Sequence, residues 1–308
     1  MKQLQLWDKR QGLIKFVFFS NYFYGICAVA LSIEAMVQQS VPLDGFFYFF
    51  IVFIATTLYY AYPYIRASAA GSSNPRTKWY VNHRNMMRWN QIIITIILLL
   101  ALVFFLRDDW SFVRAIPIGS WVLIFIFPVV AALYYGIDFV HGHFNIRKVG
   151  WLKPFIIGFT WAGLVNVYPV LYYDIMHKIT FQTNEIGGLL FIKNFMFITV
   201  LCIMFDIKDY AGDYCTQVKT FVVDFGLRKT IFYILIPLAI IGLITFLMYA
   251  IAHHFSVGRI TLNAIPFILL FAVSYSLHRR RPLLYYLIVI DGLMLLKAIC
   301  GIFGKVYF

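Results

Sequence analysis

The stretch IIITIILLLALVFFL, residues 92–106, carries a single polar side chain, Thr95. Such a run is too apolar for water, and a helix of about 20 residues of this kind crosses a hydrocarbon core about 30 Å thick. Runs like it follow one another along the chain, at 12–34, 45–65, 90–106, 115–136, 152–172, 187–206, 229–251, 260–278 and 283–303. A lipid-exposed backbone must satisfy its own hydrogen bonds, so each run is expected to be a helix. Over 308 residues, 62% are hydrophobic and 13% charged, and the mean hydropathy is +0.80. These values exclude a water-soluble globule. The expected fold is all-α: a polytopic membrane protein whose nine transmembrane helices form one domain over 1–308, with no linker or soluble domain.

A formal charge of +13 raises the question of nucleic acid. The cations, however, alternate by loop. One side holds Lys2, Lys9 and Arg10, then Arg66, Arg76, Lys78, Arg84 and Arg88, then Arg147, Lys148 and Lys153, then Lys208, Lys219, Arg228 and Lys229, and finally Arg279–Arg281. The other side holds few. The positive-inside rule places the first set, and with it the N-terminus, in the cytoplasm and the C-terminus outside. The basic balance therefore needs no nucleic-acid partner, and a bacterial inner membrane is the expected location. Lys2, Lys9 and Arg10 resemble the opening of a signal peptide, but the apolar run behind them is too long and lacks a small-residue cleavage site, so the first span is expected to be retained. Cys27, Cys202, Cys215 and Cys300 show no metal or redox spacing.

The longest polar loops, 66–89, 137–153 and 206–229, share the cytoplasmic side, where chemistry is expected. The segment FDIKDYAGDYCTQVKT, 205–220, gathers three of the chain's 13 acidic residues. On a continuing helix Asp206, Asp209 and Asp213 fall within a sector of about 60°, as one ridge about 10 Å long. Carboxylates so close repel unless a cation intervenes. Mg²⁺ favours such oxygens and keeps water or phosphate ligands, so the ridge is suited to a metal-bound diphosphate. Lys208, Lys219, Arg228 and Lys229 lie nearby in sequence and pair with phosphate. The plainer reading is that the acids cap a helix end and solvate a loop.

The segment resembles the second aspartate motif of the UbiA-type intramembrane prenyltransferases, D-x-x-D-x-x-x-D with a following Thr and a hydrophobic-Gly ending. Here these are Asp206, Asp209, Asp213, Thr220 and Phe225-Gly226. The family has nine transmembrane helices with this motif after the sixth, as here. The resemblance implies a helical bundle with a lipid-facing cavity that holds an isoprenyl diphosphate through Mg²⁺ and passes its prenyl group to an aromatic or other lipophilic acceptor. By that resemblance Asp206, Asp209 and Asp213 are the metal ligands and catalytic residues, with Arg76, Lys78, Arg84 and Lys219 as diphosphate contacts. One aspartate freed from the metal would deprotonate the acceptor.

The family's first motif, N-D-x-x-D-x-x-x-D with a downstream Arg-Thr pair, is not matched. With Arg76-Thr77 as the anchor, Pro63, Tyr64, Ala67 and Gly71 occupy its positions, and no carboxylate lies between 45 and 107. Two mechanisms stay open. Either the second motif holds one Mg²⁺ while Arg76, Lys78, Arg84 and His83 clamp phosphate directly, or the pocket binds a lipid phosphate without turning it over.

DFVHGHFN, 138–145, carries an H-x-H pair, His141 and His143, but no further metal-ligand set; Arg147, Lys148 and Lys153 beside it suit phosphate or acceptor contact. Lys193, Asn194, Asp291 and Lys297 lie within spans, where polar groups are functional candidates. Lys193 can snorkel from the outer end of its helix. Asp291 and Lys297 do not face each other, so each needs a partner elsewhere. They keep a transporter in view as a third function class, although no internal repeat supports one. Asn21 and Asn166 read as interhelical hydrogen-bonding groups.

Overall fold

The computed structural model describes residues 12–43, 46–66, 74–108, 116–136, 150–179 and 185–308, all of whose regular structure is helical. Its helices are α1 (Gly12–Phe19), α2 (Tyr22–Gln38), α3 (Phe46–Arg66), α4 (Pro75–Asn82), α5 (Arg84–Asp108), α6 (Ile118–Gly136), α7 (Gly150–Met176), α8 (Glu185–Cys215), α9 (Phe221–Phe225), α10 (Leu227–Ala252), α11 (Val257–Ser276) and α12 (Leu283–Val306). Seven of these, α3, α5, α7, α8, α10, α11 and α12, are long and apolar enough to cross a membrane, and the pair α1–α2 makes an eighth if counted as one span. The remaining expected run, 115–136, forms α6, an apolar helix holding Pro128. The chain divides into two compact units: 1–29 with 46–116, and 30–45 with 117–308.

In the first unit, the run expected as one straight helix at 12–34 breaks at Ser20-Asn21, where α1 and α2 meet at 62°. Asn21 takes a left-handed backbone, φ 71°, which Asn tolerates better than most residues. The carbonyls freed at the end of α1 are met by Arg76, whose Nε donates to Phe19 O at 3.0 Å and Nη2 to Phe18 O at 3.2 Å. This is a C-terminal cap supplied from far along the chain. Asn21 also accepts from Arg76 and donates to Tyr80 Oη at 3.0 Å, confirming its expected interhelical role. α4 begins with Pro75, behind an Asn74 cap that accepts from the Arg76 amide at 2.9 Å. Gly25 lets α2 approach α3 so closely that a Cβ there would strike Phe53 and Thr57. α5 turns Ile93, Ile96, Leu99, Leu100 and Val103 outward, each at least half exposed, as expected for a lipid-facing helix.

The second unit packs α7 against α8 and α11 against α12. Gly158 sets the first crossing, because a side chain there would collide with Thr199 Oγ1 and the Phe195 carbonyl. α7 and α10 each contain a wide π turn, Gly163–Val167 and Thr230–Leu235. Pro169 and Pro237 follow directly. A proline lacks the amide for an i−4 bond and clashes with that carbonyl, and the widened turn relieves both. A third π turn, Tyr286–Ile290, opens α12. Asn194 Nδ2 donates to Asn166 Oδ1 at 2.9 Å, joining α8 to α7 as expected of Asn166.

Candidate functional site

The aspartate ridge forms the last turns of α8, and its three members meet different surroundings. Asp206 is fully buried; Oδ1 accepts from Lys153 Nζ at 3.0 Å, while Oδ2 is buried without a hydrogen-bond partner. Asp209 is partly exposed, with Oδ1 2.5 Å from Lys208 Nζ. Asp213 is half-buried, and its Oδ2 also lacks a partner. Two further buried oxygens of the second unit, Thr199 Oγ1 and Thr220 Oγ1, are likewise unpaired. A buried polar atom left unpaired costs about 1–3 kcal/mol, so a concentration of them along α8 and its following loop is a feature for a ligand to satisfy.

Lys153 reaches Asp206 because Gly158 draws α7 onto α8 and because Gly150 lies against the backbone of Lys219 and Thr220, where a Cβ would not fit. The loop after α8 is held in turn: Thr230 Oγ1 donates to the Gly226 carbonyl at 2.9 Å and contacts the Phe221 carbonyl at 3.1 Å. Gly226 has φ +80° and ψ 159°, a conformation that suits only glycine, so the Gly of the Phe225-Gly226 ending has a backbone reason. Lys219 is exposed beside it.

Of the other expected phosphate contacts, Lys78 and Arg84 are exposed in the first unit, Arg84 lining a small cleft with Tyr64 and Tyr80. Arg76 is placed otherwise. It is buried, its guanidinium lies 4.4 Å over the Tyr64 ring, and its donors serve the α1 carbonyls and Asn21. His83 stacks on Trp79 and bonds to its carbonyl. Burial pushes the neighbouring Tyr80 hydroxyl up to about 12. Asp138, His141, His143, Arg147 and Lys148 lie outside the described residues. Among the described residues no three His, Cys, Asp or Glu side chains are gathered closely enough to hold a metal ion by themselves.

Sequence reasoning missed Glu34. It is fully buried in α2 and is the partner that Lys297 needed, with Lys297 Nζ 2.7 Å from its Oε2. Lys193, expected to snorkel, instead turns inward to donate to Asn263 Oδ1 at 2.9 Å, 3.8 Å from Glu34 Oε1. Its side chain is only 11% exposed. The signal was present: a lone carboxylate in an apolar run of spanning length is a functional or pairing candidate by position alone.

No protein-family profile matches the sequence, and no curated protein does. Among solved structures, the chain superposes on a digeranylgeranylglyceryl phosphate synthase studied in the context of membranes, with a TM-score of 0.56. The two are 17% identical, and the match covers 97% of this chain and 100% of that one. The likeness is one of fold: an all-helical, multi-pass membrane architecture.

Proposed function

We propose that the protein is a membrane prenyltransferase-like enzyme that moves an isoprenyl group from an isoprenyl diphosphate to an aromatic or other lipophilic acceptor. Its site would face the cytoplasm of a bacterial inner membrane, with the N-terminus inside and the C-terminus outside. One observation carries this reading. Asp206 is buried near the C-terminal end of the spanning helix α8, with Lys153 on one oxygen and no hydrogen bond to the other. The shared fold supports it.

Mg²⁺ suits the donor set present. It is commonly bound through one or two carboxylates, with water and phosphate completing the shell. Asp206 Oδ2 and Asp213 Oδ2 are the unpaired hard oxygens that would hold it. Bound there, it would neutralise charge building on the departing diphosphate. Lys153 holds Asp206 in place and brings a cation to the same point. Lys219 would contact phosphate oxygens from the adjoining loop, whereas Lys78 and Arg84 belong to the first unit. Arg76 is assigned to the α1–α2 bend. In the reaction the allylic C–O bond breaks with its electron pair leaving on diphosphate. The acceptor then attacks the allylic carbon and loses a proton to an aspartate of the ridge.

A second reading, a lipid-phosphate-binding protein without turnover, is favoured by the committed position of Arg76 and by the acid-free first loop. Purified protein with radiolabelled geranylgeranyl diphosphate, Mg²⁺ and a panel of lipophilic acceptors separates the two. Diphosphate release that Asp206→Asn abolishes supports the transferase. Tight binding without release establishes the binding protein, and neither result leaves the transporter class.

A further inference from the structure

At the opposite end of the second unit the buried charges do not balance. Glu34, Lys297, Lys193 and Arg259 come from α2, α12, α8 and α11, and they are 0%, 1%, 11% and 9% exposed. Lys297 binds Glu34 Oε2 at 2.7 Å, and Oε1 is buried without a hydrogen bond. Lys193 shares that carboxylate in a longer ion pair, 3.8 Å from Oε1, and its hydrogen bond goes to a neutral amide, Asn263. Arg259 Nη2 bonds to another, Gln38 Oε1, at 2.6 Å, and its guanidinium lies 3.6 Å over the Phe255 ring. Among the described residues the cluster thus sets three cations against one carboxylate. Glu185, at the rim beside His253, is 84% exposed and solvated. An uncompensated buried cation is costly unless an anion reaches it.

Beside the cluster is a narrow cleft, open to the surface, with a cavity volume of ≈ 40 Å³. Its polar lining is Lys193, Asn263, Gln38 and Tyr249; the rest is mainly apolar, Leu189 and Phe246 among it. Tyr249 Oη is buried without a partner, as is Arg259 Nε. Lys193 lies eight residues into α8, about 12 Å from its first residue. The cleft is also lined by Ile192, which is 48% exposed, so its apolar side continues to a lipid-facing surface. An occupant must therefore bring negative charge to Lys193 and hydrocarbon to the walls.

We propose that this cleft binds an anionic lipid of the outer leaflet: a singly charged phosphate headgroup on Lys193 and the Tyr249 hydroxyl, with an acyl chain along Leu189 and Phe246. The site uses residues of the second unit alone; its leaflet rests on the orientation proposed above, and its chemistry is independent of the transferase reading.

The test uses the full chain in neutral detergent, with native mass spectrometry and thermal unfolding read as phosphatidylglycerol, phosphatidylcholine of the same acyl chains, or inorganic phosphate is added. Expected are one retained phosphatidylglycerol, a raised Tm with that lipid alone, and a tenfold or greater rise in its Kd in Lys193→Met. Glu34 keeps Lys297 in that variant. Should Lys193→Met fail to fold, Tyr249→Phe gives the same readout, with an expected severalfold rise. Equal stabilisation by phosphatidylcholine, or by inorganic phosphate, overturns the proposal. So does undiminished phosphatidylglycerol binding in the folded variants.

Discussion

The consequence of burying a charge depends on how deeply its partner is buried: Lys297 is 1% exposed and Lys153 30%. Glu34 and Asp206 are both fully buried carboxylates held by a lysine. Glu34 lies against Gly301, where a side chain would overlap its carboxylate, and Lys297 binds it at 2.7 Å. Glu34→Gln should leave Lys297 buried beside a neutral amide and cost about 3–5 kcal/mol, seen as a lowered Tm in detergent. Replacing both partners by Met should restore most of it. Asp206→Asn should instead leave Tm near wild type while diphosphate release falls by roughly two orders of magnitude. A third residue gives a pH signature. Tyr80 is shifted from 10.0 to about 12 because its neutral form is favoured in the fold. The resulting stability is whole below pH 10 and lost as pH rises through 12. The Tm difference between wild type and Tyr80→Phe should therefore shrink above pH 10. The Asp206 position was legible in sequence because three acids on one helical face are unusual in an acid-poor chain. Glu34 was harder to read because its counter-ion lies 263 residues away and nothing local announces the pair.

The expected runs all contain helix where the chain is described, because lipid leaves an apolar backbone of that length few other ways to satisfy its amides. What composition cannot reveal is where a run is interrupted. The first run reads straight through FFSNYF, yet α1 and α2 diverge there because Arg76 takes the freed carbonyls and Asn21 takes the left-handed turn. That reassigns a residue expected to touch phosphate, and a motif comparison offers no warning of it. The α7–α8 crossing yields a prediction of its own. Gly158→Leu should force the helices apart at Thr199, costing about 1–3 kcal/mol by overpacking, and should weaken activity because Lys153 rides on the displaced helix. Lys153→Met, in the same assay, tests the lysine without the displacement.

Across the whole chain the alternation of loop charges predicts an orientation. Cys215 is exposed at the end of α8, whereas Cys27 and Cys300 are buried. With the N-terminus inside, a membrane-impermeant maleimide should label Cys215 in inverted vesicles and spare it in right-side-out ones; the reverse pattern would turn the proposed topology over. The Glu34–Lys297 pair also bears on how the protein is made. A ribosome adding 5–20 residues per second needs roughly 13–50 seconds to travel from one partner to the other. During that interval the nascent chain holds an acid within an early apolar segment whose mate has not been synthesised. Until α12 is made, the acid needs another partner or shelter from lipid. A chain stopped before Lys297 would lack the lysine that binds Glu34 Oε2 at 2.7 Å in the folded protein.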